Sequence, residues 1–453
     1  MWRMRIMVAF GLITILAAAE ASGAGLRAGV AKVDITPPAG QSMWGYFDRK
    51  TPAQSTLDPL YARVLVLEAG DVRIALVALD LGRTFGPSEI AMLRERATSS
   101  NNISYVLVAA SHTHAGPVIV DEYAPGQTPP WETADLDKIS IAIQEAASRL
   151  VPVRVGTGYG DTTIGYNRRR VNPDGTVTMF WRNPTKVPTA PVDPIVSVLR
   201  VDREEGTPLA ILVNYACHPV IFGADNLRYS ADFPGVMTQI VEKEFDGKPL
   251  SIFLQGAPGD INPYDATTPL EQDPVRFRDW TGERLGREAA RVAKAIHTAD
   301  SPDASLQFAE DTMTFHLRWN PDRLHDALLA AYGPDILKSF APSIRPEYPL
   351  LVATLLINKH IAVMTMPGEP FVEFQMTWRD RCPASDAFFL GYANGYYGYF
   401  PTIQAATEGG YGAASATTWM EAGAGEQMVN HALVKLYEML GRLTDLPEDL
   451  KKK

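Results

Sequence analysis

Of the eight histidines in the chain, two stand at i and i+2 in Ser111-His-Thr-His-Ala-Gly-Pro117, directly after the β-branched run ending at Ala110. If that strand continued, both imidazoles would face one side. Imidazole suits a divalent metal, but two ligands do not complete a site, and a hydrogen-bonded loop pair fits the pattern equally. His218 repeats the arrangement, because the apolar run Leu209 to Tyr215 ends in Ala-Cys-His-Pro219. A structural histidine is the alternative there. Cys217 beside it would face the other way on an alternating strand, which reads as a buried, inert thiol. Gln255-Gly-Ala-Pro-Gly-Asp-Ile-Asn-Pro263 follows the run Leu250 to Leu254, and its glycines can bring backbone N–H groups up to an anion or simply make a turn. With no Lys after the second glycine it is not a Walker loop. Met366-Pro-Gly-Glu-Pro370 puts Glu369 at a strand exit and a helix start, where a carboxylate also complements the helix dipole. Tyr392-Ala-Asn-Gly-Tyr-Tyr-Gly-Tyr399 and Glu408-Gly-Gly-Tyr-Gly412 set phenols close to backbone. Neither a G-x-S-x-G elbow nor an H-E-x-x-H helix occurs.

The elements that must position these residues read as short strands alternating with helices. Strands are expected at Arg63 to Leu67, Val72 to Leu81, Tyr105 to Ala109, Val153 to Gly158, Thr176 to Trp181 and Ile195 to Val201. Further strands fall at Leu209 to Tyr215, Leu250 to Leu254, Leu306 to His316 and, as one long run, Leu351 to Met366. Helical spacing marks Ser88 to Arg96, Leu136 to Leu150, Gly235 to Phe245, Thr281 to His297 and Gly425 to Arg442. The Pro-rich stretch Asn183 to Pro194 reads as a loop, and no repeat or Ser/Gly linker divides the chain. The expected fold is a single large α+β domain of layered sheets flanked by helices, spanning 22–446, with a charged tail at 447–453.

Composition narrows the function classes. With 453 residues, 46% hydrophobic and 21% charged, the chain has an ordinary globular composition, and its net charge of −10 without a basic run argues against nucleic-acid binding. Met1 to Arg5 is a basic start, Ile6 to Ala19 an apolar run too short to span a bilayer, and Ala19-Glu-Ala21 a small-x-small pattern. A signal peptide over 1–21 and a secreted or periplasmic protein are therefore expected. Two cysteines, Cys217 and Cys382, do not make a disulfide scaffold, and the sequence does not settle whether they pair. No amphipathic basic helix announces membrane contact, although a lipid substrate would bring the protein to a membrane surface.

Taken together, these segments resemble the catalytic domain of the neutral/alkaline non-lysosomal ceramidases, zinc amidases that cleave N-acylsphingosine. The resemblance begins at Ala31-Lys-Val-Asp-Ile-Thr-Pro37 and Met43-Trp-Gly-Tyr46. It continues in the same order through Ser111-His-Thr-His, Asn167-Arg168, Ala216-Cys-His-Pro219, Gly259-Asp260, Pro367-Gly-Glu369 and Tyr399 with Tyr411. It implies a Zn2+ held by His112, His218, Glu369 and Tyr399. It also implies His114, Tyr411 and Arg168 as catalytic residues, Gly45 as substrate-binding, and a zinc-activated water attacking an amide. Where the family has G-D-V-S-P, this chain has Gly259-Asp-Ile-Asn-Pro263, so Asn262 takes the place of a serine. Its amide is no nucleophile, but it can hydrogen-bond an oxyanion or a polar substrate group. The family's additional C-terminal β-sandwich domain is not expected in these residues. A zinc hydrolase of non-lipid amides, peptides, esters or lactones is the alternative, and a binding protein without turnover a further one.

Overall fold

The computed structural model describes residues 25–444, except 124–125, 302–303 and 341–343, together with 447–450. The segment read as a signal peptide, and part of the charged tail, lie outside the described residues. The largest sheet has eight strands, in the order Leu250–Gln255, Pro208–Tyr215, Ile195–Arg203, Val151–Asp161, Arg27–Asp34, Tyr61–Ala69, Val72–Leu79 and Tyr105–Ala110. It is two four-stranded halves joined by only two residue pairs, Arg27 with Pro152 and Ala28 with Val151. A second sheet orders Leu306–His316, Glu347–Ile357, Ile361–Thr365 and Asp386–Leu390.

Alternation along the strands assigns each face. Val64 and Val66 pack toward the helices Pro87–Asn101 and Pro130–Ser148, while Leu65 and Leu67 point into a core shared with Leu107, Leu199, Leu212 and Leu254. Leu355, Ile357, Phe388 and Leu390 of the second sheet close that same core, so both halves and the second sheet surround one apolar interior. The other face of the second sheet carries Leu350, Val352 and Leu356 against the helices Val372–Arg381 and Ala424–Met439. The helices Asp232–Glu244 and Pro274–Ala295 cover the remaining half-sheet through Phe233, Met237, Leu285 and Ala289. This is the expected α+β arrangement, and strands covered on both faces read as near-continuous apolar runs for that reason.

Three local expectations are corrected. The run expected as one strand from Leu351 to Met366 is a hairpin, Glu347–Ile357 and Ile361–Thr365, reversing at Asn358 and Lys359, whose φ values are 51° and 59°. Two consecutive left-handed residues make the tight reversal whose twist suits a hairpin. A helical segment over Pro321–Phe340, broken at Gly333, was not anticipated. The helix after Glu369 begins only at Val372, so Glu369 is not a first-turn charge.

The last strand in the large sheet's order is closed by an incoming loop. Ala110 N–H donates to Tyr392 O at 3.1 Å and Asn394 N–H to Val108 O at 2.8 Å, while the Asn394 side-chain oxygen accepts Val108 N–H at 3.0 Å.

Candidate metal centre and reaction cavity

Five strands end at one place. Beyond Ala110 come His112 and His114, beyond Tyr215 comes His218, beyond Gln255 the turn 256–262, beyond Thr365 Glu369, and beyond Leu390 the tyrosine loop. Gln255 fastens the two histidine loops together: its amide N–H groups donate to Ser111 O at 2.9 Å and Cys217 O at 3.0 Å. Asp260 ties its turn to two more segments, accepting from Val372 N–H at 2.9 Å and the Asn167 amide at 2.6 Å, while its carbonyl accepts Arg168 N–H at 2.8 Å.

The strand does not continue through His112, whose φ is 69°, yet the two rings still meet, with Nε2 of His114 3.1 Å from Nε2 of His112. Gly45 makes this approach, since a Cβ there would lie 2.4 Å from the His114 ring. His112, His114 and His218 form a group able to hold a metal ion, with one donor atom from each lying within 4.8 Å of the others. Glu369 Oε2 adds a carboxylate 3.0 Å from His218 Nε2 and 3.5 Å from His112 Nε2.

The outer nitrogens separate the histidines. His112 Nδ1–H donates to Gly82 O at 2.6 Å and His218 Nδ1–H to Pro258 O at 2.5 Å, which leaves both Nε2 lone pairs aimed at the common point. His114 Nδ1 has no hydrogen-bond partner. Burial, together with Arg168, lowers the His218 pKa to about 4, and burial with the neighbouring imidazoles holds His114 well below its usual value. Burial pushes the Glu369 carboxyl up, but the His112 and His218 imidazoles outweigh it and hold it well below the carboxylate range. The set is thus a carboxylate facing imidazoles with free lone pairs, donors that suit a divalent transition ion.

Glu369 and Tyr399 are paired in a two-residue parallel ladder. Burial keeps the Tyr399 hydroxyl protonated, and it accepts from Arg168 Nη2 at 2.9 Å. Arg168 also donates to Gly259 O at 2.7 Å and Asn262 Oδ1 at 3.2 Å, beneath Trp181, Tyr399 and Tyr411. The Asn262 amide nitrogen donates to Trp181 O at 3.4 Å. Asn262, expected as a substrate contact, is 2% exposed with both ends of its amide engaged, so it holds Arg168 and the backbone at Trp181, which lies beyond the short strand Val177–Met179 observed where Thr176 to Trp181 was expected.

A cavity of about 270 Å³ opens on the centre, walled by Trp44, Gly45, Tyr46, His112, His114, Glu369, Tyr396, Tyr399 and Tyr411, with Val118 to Val120 and Trp419 on the apolar side. Arg168, Asn262 and His218 stand behind this wall. A larger cavity of about 430 Å³, around Tyr348, Tyr397 and Arg345, touches no histidine. Sequence reasoning missed Tyr396, whose hydroxyl donates to Glu369 Oε1 at 2.5 Å, and Tyr392, which donates to Oε2 at 3.2 Å. The available signal was their spacing from Tyr399 within one glycine-rich loop. Both cysteines are free thiols, and Cys217 is fully buried.

Residues 26–274 match the family described as neutral/alkaline non-lysosomal ceramidase, N-terminal. The chain belongs to that family. Among curated ceramidase relatives, the neutral ceramidase of Pseudomonas aeruginosa is 26% identical over 267 residues, covering 56% of this chain and 39% of that protein. The neutral ceramidase of Mycobacterium tuberculosis is 25% identical over 284 residues, covering 57% of this chain and 43% of that one. The matched stretch thus spans about two fifths of each relative. The crystal structure of the Pseudomonas aeruginosa neutral ceramidase superposes with a TM-score of 0.72 at 19% identity, over 95% of this chain and 76% of that one. A ceramidase complexed with C2 gives a TM-score of 0.71 at 19% identity, over 95% of this chain and 77% of that one. The likeness extends the shared fold well past the family match at residue 274, through the segments that bear Glu369 and Tyr399.

Proposed function

We propose that the chain is a zinc-dependent hydrolase of N-acyl amides, with N-acylsphingosine as the first substrate to test. The observation that carries this reading is the convergence of His112, His218 and Glu369, their outer atoms fixed by backbone or phenol, beside an open, largely apolar cavity that His112 and Glu369 line. His112, His218, Glu369 and Tyr399 would hold the ion. Zinc bound there would polarise an amide carbonyl and acidify a water molecule. His114, its ring free of a backbone anchor, takes the proton of the attacking water and delivers it to the leaving nitrogen as the C–N bond breaks. The buried Tyr411 hydroxyl stays protonated, because burial and Glu369 raise its pKa, and so it can donate to the developing oxyanion. Arg168 acts behind it by fixing the Tyr399 hydroxyl. The basic and apolar start of the sequence supports export with cleavage near Ala21, which N-terminal sequencing of the secreted protein tests.

One observation favours a second reading. A cavity near 270 Å³ is at the small end for ligand pockets, which suits a compact amide, ester or lactone. The experiment is mass-spectrometric detection of sphingosine from a short-chain ceramide, beside short N-acyl amines, by the zinc-loaded protein with and without chelator. Chelator-sensitive release supports the first reading, and cleavage of only the compact substrates the second. No hydrolysis by a folded, metal-loaded protein overturns both. His112→Ala should lose metal and turnover, His114→Ala turnover alone.

A further inference from the structure

We propose that Tyr396 is a positioning residue that restricts Glu369 to a single coordinating oxygen and so keeps a place at the metal open toward the cavity. The inference rests on the metal reading above. The two carboxylate oxygens of Glu369 have different company. Oε2 stands 3.0 Å from His218 Nε2 and 3.5 Å from His112 Nε2, whereas Oε1 takes the Tyr396 hydroxyl at 2.5 Å. A carboxylate with both oxygens free can chelate a cation through both, and zinc readily accepts a fifth ligand. The position lost would be the one a substrate carbonyl or water needs. A phenol donating to Oε1 at 2.5 Å occupies a lone pair there and draws off part of the charge, more than the longer 3.2 Å contact from Tyr392 takes from Oε2, which leaves Oε2 as the better donor.

Tyr396 is built to stay in place. Its ring meets Trp44 edge-on at 5.2 Å, lies nearly parallel to Tyr392 at 6.3 Å, and carries the Arg83 guanidinium 5.1 Å from its centre. Arg83 is itself held by an ion pair to Asp121. Tyr396 lines the cavity, whereas Tyr392 is fully buried and donates to the other oxygen at 3.2 Å. The two phenols therefore address opposite oxygens of one carboxylate, and only Tyr396 guards the oxygen that could become a second ligand.

Tyr396→Phe keeps the ring and removes the hydroxyl. The test loads wild type, Tyr396→Phe and Tyr392→Phe with cobalt(II) and records visible absorption, which weakens as the coordination number rises. Tyr396→Phe is expected to bind one cobalt with weaker absorption, and its zinc form to lose about tenfold or more in kcat with little change in KM. Tyr392→Phe is expected to keep the wild-type absorption intensity, since Oε1 stays engaged. Wild-type absorption and kcat in Tyr396→Phe overturn the inference and leave the metal reading intact. Failure of the wild-type protein to bind cobalt, or unchanged binding in His112→Ala, overturns the metal reading and this inference with it. Should Tyr396→Phe not fold, zinc X-ray absorption of the wild type decides: a carboxylate bound through one oxygen supports the inference, and a carboxylate chelating through both oxygens refutes it.

Discussion

Replacing Gly45 by Ala tests the placement of His114 without touching any proposed ligand. Gly45 has φ of 106°, a conformation that costs a residue with a Cβ about 1–3 kcal/mol. The added methyl would lie 2.4 Å from Cγ and Nδ1 of His114 and 2.7 Å from its Cβ. The ring cannot simply retreat, because Tyr46 packs against it with centroids 5.0 Å apart and His112 Nε2 stands 3.1 Å from its Nε2. Overpacking of this kind costs about 1–3 kcal/mol more. With an unfolding entropy near 2.1 cal/mol/K per residue, a chain of this size changes by roughly 0.9 kcal/mol per degree, so the melting temperature should fall by about 2–7 °C. Turnover should fall about 100-fold or more, the worth of a displaced proton carrier, with metal content unchanged. The assays are calorimetry, metal analysis of the purified variant, and amide hydrolysis. An unaltered melt with full turnover would refute the packing argument. Lost metal would make His114 a ligand and not a proton carrier.

Asn262→Ala removes the acceptor for Arg168 Nη1 and the donor to Trp181 O, so it should cost about 1–3 kcal/mol in denaturant unfolding and lower turnover while retaining metal. A variant as active and stable as the parent would show that Arg168 needs no such support. Glu132 accepts the Tyr123 hydroxyl at 2.5 Å through one oxygen, its other oxygen has no partner, and burial raises its pKa to about 7. The folded protein then holds a proton that the unfolded chain has released above its ordinary value of 4.5, so this group's stabilisation is full below that pH and is lost as pH rises through 7. Against Glu132→Gln, which does not titrate, wild-type unfolding free energy should decline by about 2–3 kcal/mol between pH 4.5 and 8, allowing for partial solvent screening. A difference independent of pH would count against the buried carboxyl.

The centre was legible where chemistry and strand ends coincide. His112, His218 and Glu369 stood out as candidates because each follows an apolar run, but loop, structural and helix-dipole roles fitted them too, and the family resemblance is what singled them out as ligands. What the sequence could not convey is which atom each polar group spends on its neighbours. Asn262 reads as an amide free to meet substrate until both its ends are seen to be taken by Arg168 and Trp181. The phenols of Tyr392 and Tyr396 are alike in sequence, and only tertiary packing sends them to opposite oxygens of Glu369. The hairpin at Asn358 and Lys359 was hidden because the turn contains neither Gly nor Pro. The segment Pro321–Phe340 was hidden because Gly333-Pro334 interrupts its helical spacing.

The loop that closes the Tyr105–Ala110 strand has a consequence for self-association. An unpaired outer strand is the usual template on which a second molecule adds its own strand. Here the far end of that strand is occupied by Tyr392, Ala393 and Asn394, the same loop that delivers Tyr396 and Tyr399. Another chain could pair there only by stripping that loop away, which would withdraw the Tyr392 and Tyr396 phenols from Glu369. Recruitment of a foreign strand at this end and inactivation would then be one event, so the fraction of active centres would double as a count of molecules still guarded against aggregation.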